Sequence, residues 1–475
     1  MAAKTNRGEL ATILANLNPW WRGDDWERAD QDLAAAHGSG LGYETSVLAD
    51  LRPGGLYVLR GPRRVGKTVA TKQTIAALTR SGAPGASIVR VAVDGWAASD
   101  VRTVVQNIPL PRPPEGVHRW WFIDEITGIV DDWAATIKWM RDNLPAFAEA
   151  TVVVTGSNAA ELTAAIGQWS GRRGEIEDRD RTLLPIGFRT FVNLLLDGAP
   201  SHIPRLPLGE LRSAVAEEAY HALVPWLGDL SGMWGLYLTY GGFPKATAAA
   251  KRGVGIQESF VDDVFDVIYR DVFADSQLSR TSATTLVSRV MEGMSNPVNY
   301  SKVAEDAEVT QPTATRHVSY LCNGYLAWMC PQKAADSWLG LPKAQSKIYA
   351  VDPIVARLPF LRNASRADVD PTILNEMMLG MAIRRAAVAV GREWDGDEFL
   401  FYYRTPSRNE VDFVSDLLAG TAIEGKYTSG SWRREAQTVE ASPWLGILAT
   451  ESVLETDGEG AWAVPAGVLG YVIDT

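Results

Sequence analysis

The chain has 475 residues and a formal net charge of −11, from 46 Lys and Arg against 57 Asp and Glu. That length predicts two to four domains with a substantial core, and the acidity argues against a protein that coats DNA globally while leaving room for local basic surface. Two cysteines, Cys322 and Cys330, with no matched histidine pair give no support to a disulfide framework or a zinc site. No apolar run approaches the roughly 20 residues that span a bilayer, and the start MAAKTNRGEL lacks a signal-peptide apolar region. The expected setting is a reducing cytoplasm, with no membrane partner.

Residues 1–50 are expected to form a helical extension. Its Trp20, Trp21 and Trp26 read as a packing clasp against the next segment, or alternatively as a base-stacking platform. Residues 51–195 alternate strand and helix, the pattern of an α/β parallel sheet covered on both faces. There Leu56 to Leu59 delivers the chain to Gly61, Pro62, Arg63, Arg64, Val65, Gly66, Lys67, Thr68 and Val69, a G-x-x-x-x-G-K-T loop set between strand and helix. Its N–H groups and the helix dipole favour phosphate. Lys67 is expected at the β/γ-phosphates of a nucleotide and Thr68 on Mg2+. Pro109 to Pro114 is a surface connection.

Trp120 to Ile123 is an apolar run suited to a strand buried on both faces. Asp124 emerges at its end near Mg2+, with Glu125 placed to polarise an attacking water. A third strand, Thr151 to Val154, ends in TGSN, where Ser157 or Asn158 is a candidate reader of the γ-phosphate, although such residues also form ordinary turns. Arg172 and Arg173 precede a fifth strand, Thr182 to Ile186. An arginine there is where a ring-forming ATPase reaches its neighbour's nucleotide, which implies a homo-oligomer; a solvated basic turn is the alternative. The chain has no N/TKxD-type guanine reader, which tilts the nucleotide towards ATP.

Residues 196–280 read as helical, broken at Gly241, Gly242 and Pro244, and are expected to form a lid. Residues 281–350 have the cadence of a winged helix. Tyr300 opens one helix; Thr310 caps a second, with Pro312 in its first turn. Gln311, Thr313, Thr315, Arg316 and His317 are expected on the outer side of that helix, with Val318, Leu321 and Tyr325 inward. Tyr325 to Met329, a loop with Lys333, and Lys347 to Val351 make the wing. These side chains suit phosphates and base edges; packing within or between subunits is the other use of such a fold. In residues 351–475, Asp412 lies in a strand from Glu410 to Val414. Glu424 and Lys426, two apart in the next strand, leave one face. Asp412 and Glu424 sharing Mg2+, with Lys426 stabilising charge, is the logic of metal-assisted phosphodiester cleavage.

The P-loop, the Asp124-Glu125 pair, the TGS strand end, the SGR turn with its LLPIGF strand, and GGFPKA at Gly241 to Ala246 together resemble the bacterial and archaeal AAA-type ATPases that carry a C-terminal nuclease-like domain. The resemblance implies an AAA+-like core, a helical lid, a winged helix and a restriction-endonuclease-like PD-(D/E)XK domain. It places the family's extra acid at Glu376, as a further metal ligand beside Asp412 and Glu424. Gly425 departs from the apolar residue usual in that strand. An inactive descendant that uses the fold for binding remains open beside a cutting enzyme. Two classes of function follow: a Mg2+-dependent ATPase acting on DNA, with a C-terminal domain that cuts or grips it, and an ATP-controlled switch that assembles with a protein partner.

Overall fold

The computed structural model describes residues 7–23, 25–129, 131–269, 278–394, 398–428 and 430–475. The chain divides into two compact units, Met1–Leu183 and Leu184–Thr475.

The first unit is built on five parallel strands, β1 (Leu56–Arg60), β2 (Ile88–Ala92), β3 (Trp120–Asp124), β4 (Thr151–Gly156) and β5 (Asp180–Thr182). Their order is β2-β3-β4-β1-β5. LYVLR and TVVVTG are buried at every position, as strands covered on both faces require. Helices Lys67–Arg80, Ala98–Asn107, Trp133–Asn143 and Ala159–Gln168 lie between the strands in sequence and supply the crossovers that parallel pairing needs. Val58, Val89, Ile123 and Val154 from the sheet share a core with Val101, Ile137 and Leu162. Register sets Leu59 beside Thr155 and Ile123 beside Val154, so the ends of β1 and β3 flank the end of β4. The fifth strand lies earlier than the LLPI run suggests: Leu183 still donates to Arg60 O, but Pro185 has no N–H with which to extend a ladder.

Helices Arg7–Leu17 and Gln31–Gly38 precede the sheet. Between them, the indole N–H groups of Trp20 and Trp21 both donate to Ile88 O, at 3.0 and 2.8 Å. Trp20 and Trp26 meet edge to face at 4.9 Å. The tryptophans therefore pack; the indole N–H groups of Trp20 and Trp21 are engaged, while that of Trp26 is buried with no hydrogen-bond partner among the described residues. Asn18 pairs with the backbone of Arg90 in both directions, as a neighbouring strand would.

The second unit opens with helices Phe188–Leu195, Ala214–Ala222, Leu227–Tyr240, Pro244–Lys251 and Glu258–Val267. Next come Arg280–Glu292, Tyr300–Asp306 and Gln311–Asn323, then an antiparallel pair, β6 (Ala327–Cys330) and β7 (Lys347–Ala350). The hydroxyl of Thr310 accepts from Thr313 N and starts the third of these helices. A mixed sheet follows, of β8 (Phe401–Arg404), β9 (Glu410–Val414), β10 (Thr421–Gly425), β11 (Leu445–Thr450) and β12 (Trp462–Pro465), in order β12-β11-β10-β9-β8. β8 to β10 pair antiparallel, and β10 to β12 pair parallel.

The helix Pro371–Ala389 lies against this sheet, and Gly425 is what lets it settle: a Cβ there would come within 3.3 Å of Glu376 Cα. The segment expected as a lid shares its core with the end of the chain. Helix Ala466–Ile473 is buried at every position and must be enclosed on all sides. Its Gly467 meets the backbone of Leu230, and its Gly470 meets the rings of Trp234 and Phe188.

Candidate functional site

Gly61 leaves β1 at a φ of +146°, and a Cβ there would lie 2.0 Å from Leu183 O, so only glycine fits. Pro62 and Val65 are buried, Arg63, Gly66, Thr68 and Val69 half-buried, and Arg64 exposed. Helix Lys67–Arg80 begins directly after Gly66. Lys67 is buried, and its Nζ donates to Gly61 O at 2.9 Å and Pro62 O at 3.1 Å, 3.9 Å from Glu125 Oε1. Burial lowers its pKa by more than the charges of Glu125 and Asp124 raise it. A buried ammonium resting mainly on neutral carbonyls is short of negative charge, and phosphate oxygens would supply it.

Asp124 ends β3 between two donors. Arg90 Nη2, on β2, stands 2.5 Å from Oδ2, and Thr155 Oγ1, on β4, stands 2.6 Å from Oδ1. Burial raises the pKa of Asp124, but the charge of Arg90 and hydrogen bonds from Thr155, Arg90 and Thr68 outweigh it and hold the carboxyl below its ordinary range. An anionic carboxylate beside the Thr68 hydroxyl is a donor pair that fits Mg2+. Glu125 turns left-handed at φ 57°, which breaks the strand's alternation just after Asp124. Its N–H donates to Thr155 Oγ1 at 3.0 Å, and its buried Oε2 has no hydrogen-bond partner among the described residues. One threonine hydroxyl thus braces both acids.

Thr155 and Arg90 were not singled out from the sequence. The available signals were a polar residue closing an apolar strand, and a charge inside the otherwise apolar IVRVA, which has to find a partner once buried. Of the expected γ-phosphate readers, Ser157 accepts from Arg63 Nε at 3.3 Å, whereas Asn158 caps helix Ala159–Gln168 through Glu161 N. Arg172 is partly exposed and pairs with Asp142 at 2.7 Å. Arg173 is buried, with its guanidinium on Leu56 O, Arg179 O and both oxygens of Asp180. Of the two, Arg172 is the one presented outward.

In the second unit the sheet brings Glu376, Asp412, Glu424 and Lys426 together. Asp412 N donates to Glu424 Oε2 at 3.2 Å, Gly425 N to Asp412 Oδ2 at 2.9 Å, and Lys426 Nζ lies 3.0 Å from Glu424 Oε1. Burial, then the charge of Asp412, pushes Glu376 up to about 7 and Glu424 up to about 8. Lys347 also enters the cluster, which the sequence did not suggest. Its Nζ lies 3.0 Å from Glu376 Oε1, 2.7 Å from Glu410 Oε1 and 3.3 Å from Asp412 Oδ1. Among the described residues, no group of three or more His, Cys, Asp or Glu side chains is arranged to hold a metal ion.

On helix Gln311–Asn323, Gln311, Thr315 and Arg316 are exposed and Thr313 half-buried, with Val318 and Leu321 buried. His317 is not on the outer side. It is fully buried, with Nδ1 2.6 Å from Thr313 O. Lys333 and Lys347, expected on the wing, are buried as well.

A family model described as an AAA domain matches residues 54–192, and one described as a domain of unknown function (DUF8612) matches residues 233–359. No curated protein matches the chain. Similar solved structures include the Walker-type ATPase PABY2304 of Pyrococcus abyssi, at TM-score 0.34 and 12% identity over 64% of this chain and 90% of that one. A Thermotoga maritima RuvB variant gives TM-score 0.29 and 13% identity over 66% and 94%. The Aeropyrum pernix ORC1 protein in complex with DNA gives 0.28 and 13% over 73% and 91%. The domain match over residues 54–192 agrees with the geometry of the loop and of Asp124 and Glu125. No helix among the described residues is long and apolar enough to cross a membrane. Residues 54–192 are accordingly an AAA-type P-loop domain, and ATP is the nucleotide it binds.

Proposed function

We propose that the chain hydrolyses ATP and uses the turnover to act on duplex DNA. The observation that carries the ATPase reading is the convergence of Lys67, Asp124 and Glu125 at one end of the parallel sheet, braced by Thr155. In this mechanism Glu125 holds a water in line with the γ-phosphorus and takes its proton as the new P–O bond forms. The bond to the β-phosphate oxygen breaks, and Lys67 neutralises charge on the phosphate oxygens. Thr68 and Asp124 would hold Mg2+, which would further neutralise the phosphates. Arg172, the outward-facing one of the two arginines, reaches a neighbouring subunit's nucleotide in a homo-oligomer. The DNA contact falls to the helix carrying Gln311, Thr315 and Arg316, in a winged-helix arrangement of three helices and the β6–β7 hairpin.

One observation favours a second reading, an ATP-controlled adaptor for a protein partner: the two wing lysines are buried, which leaves less basic surface for phosphate. ATP turnover with Mg2+, measured with and without duplex and single-stranded DNA across a salt series, separates the two. Under the first reading, Lys67→Ala loses ATP binding, and Glu125→Gln keeps binding but turns over about 10²–10⁴-fold more slowly. DNA accelerates turnover, steeply less so at high salt, and Arg316→Glu loses that acceleration. Equal turnover in Glu125→Gln and wild type removes Glu125 as the base. Turnover indifferent to DNA leaves the adaptor reading.

A further inference from the structure

We infer that Lys347 is the resident cation of the C-terminal acidic cluster, so that this cluster anchors the β6–β7 hairpin to the mixed sheet and does not take up a divalent metal. A lysine ammonium has three N–H donors, and here three carboxylate oxygens from three side chains stand around it, at 2.7, 3.0 and 3.3 Å. Those carboxylates belong to Glu376 on the long helix and to Glu410 and Asp412 on β9. The Lys347 side chain is 1% exposed. The ammonium is therefore enclosed and its donors are matched.

Its position on β7 is reinforced two residues further on. Residues i and i+2 of a strand share a face, and the hydroxyl of Tyr349 donates to the same Glu376 Oε1 that Lys347 contacts. The hairpin thus inserts a cation and a phenol side by side into the acids. On the sheet side, Asp412 Oδ2 accepts from Gly425 N, and Glu424 is held by Asp412 N and Lys426. Both oxygens of Asp412, both of Glu424 and Oε1 of Glu376, which would have to converge on a metal, already accept from or pair with protein donors. A divalent ion entering among them would need several oxygens at about 2.0–2.6 Å and would meet the like charge of Lys347 at contact distance. The residues are those of a hydrolytic centre, but the arrangement does not fit the metal.

The test is Mn2+ binding to the full chain without nucleotide, followed by loss of the free-ion paramagnetic resonance signal, with thermal unfolding and a DNA cleavage gel in parallel. Wild type and Asp412→Asn are expected to bind the same number of Mn2+ ions, and wild type is expected to leave DNA intact in Mn2+. Lys347→Met is expected to gain one Mn2+ per chain and a Mn2+-dependent rise in Tm, both lost in the Lys347→Met, Asp412→Asn double variant. A Mn2+ ion bound by wild type and lost in Asp412→Asn overturns the inference, as does Mn2+-dependent cleavage by wild type that Asp412→Asn abolishes. Both of those outcomes are read without the Lys347 variant, so they decide the matter even if Lys347→Met does not fold. A folded Lys347→Met that gains no Mn2+ also overturns it, because the ammonium would then not be what keeps the metal out.

Discussion

Thr155 shows how much of the ATP site depends on one hydroxyl. It donates to Asp124 Oδ1 and accepts from the N–H of Glu125, so it fixes the anion beside Thr68 and the left-handed turn that takes Glu125 out of the strand. Thr155→Val keeps the branched shape and removes both bonds. Leaving buried polar groups unpaired costs about 1–3 kcal/mol, and about 1.4 kcal/mol on a barrier is tenfold in rate. Turnover is therefore expected to fall by roughly 10–100-fold while ATP affinity changes little. Thr155→Ser, which retains the hydroxyl, should recover most of it. An unchanged kcat in Thr155→Val would show that the base needs no such brace. The sequence made Lys67, Asp124 and Glu125 legible because each belongs to a local pattern of strand end and loop. It pointed past Thr155 to Ser157 and Asn158, since nothing local marks which residue of a strand end faces the neighbouring strand's acid.

At the scale of elements, the N-terminal segment completes the edge of the sheet. β2 is an edge strand, and exposed backbone groups there are a liability. Asn18 Nδ2 donates to Arg90 O and to Leu14 O, and Asn18 Oδ1 accepts from Arg90 N, all with Asn18 fully buried. Because the side chain of Arg90 is the partner of Asp124, this clasp also places the charge that keeps Asp124 ionised. Asn18→Ala is expected to destabilise the first unit by about 2–4 kcal/mol, from several buried groups left unpaired. Urea unfolding followed by tryptophan fluorescence measures it, and an unchanged midpoint would reduce the clasp to surface packing. Strands and helices of this unit were legible because apolar runs such as Trp120 to Ile123 and Val152 to Val154 are dense and bounded by turn residues. The end of β5 was not, because LLPI is equally apolar and only Pro185 marks the break. Lys347 could not have been paired with Glu376 or Asp412 from the sequence: they stand 29 and 65 residues away, joined only by the packing of a hairpin, a helix and a sheet.

At the scale of the whole chain, two of the motifs that carry the resemblance meet inside the second unit. Ile186 of LLPIGF donates to Gly242 O of GGFPKA, and Gly242 N donates to Asp352 Oδ2 at 2.7 Å. Beside them, the last residues of the chain close the same core. Asp474 accepts from Phe188 N and pairs with Arg385, whose side chain is 3% exposed against 0% for its partner. These buried carboxylates tie the start, middle and end of the unit together, and Asp352 makes that tie sensitive to pH. Burial pushes Asp352 up to about 7, against backbone hydrogen bonds from Gly242 and Ile354 that pull it down. In the unfolded chain an aspartate titrates near about 3.9. Between those values the folded state holds a proton that the unfolded state has released, so this group's contribution to stability is fully present below about 3.9 and is lost as pH rises through about 7. Asp352→Asn keeps the shape and cannot titrate. The stability of wild type relative to Asp352→Asn should therefore increase on acidification from pH 8 towards pH 5, with a slope of at most about 1.4 kcal/mol per pH unit. Paired urea titrations of the two proteins at each pH isolate this group from other carboxylates, such as Asp124, whose depressed pKa works in the opposite direction. A difference that stays flat across that range, or that shrinks on acidification, would mean that Asp352 is ionised in the folded chain and that the amides of Gly242 and Ile354 outweigh its burial.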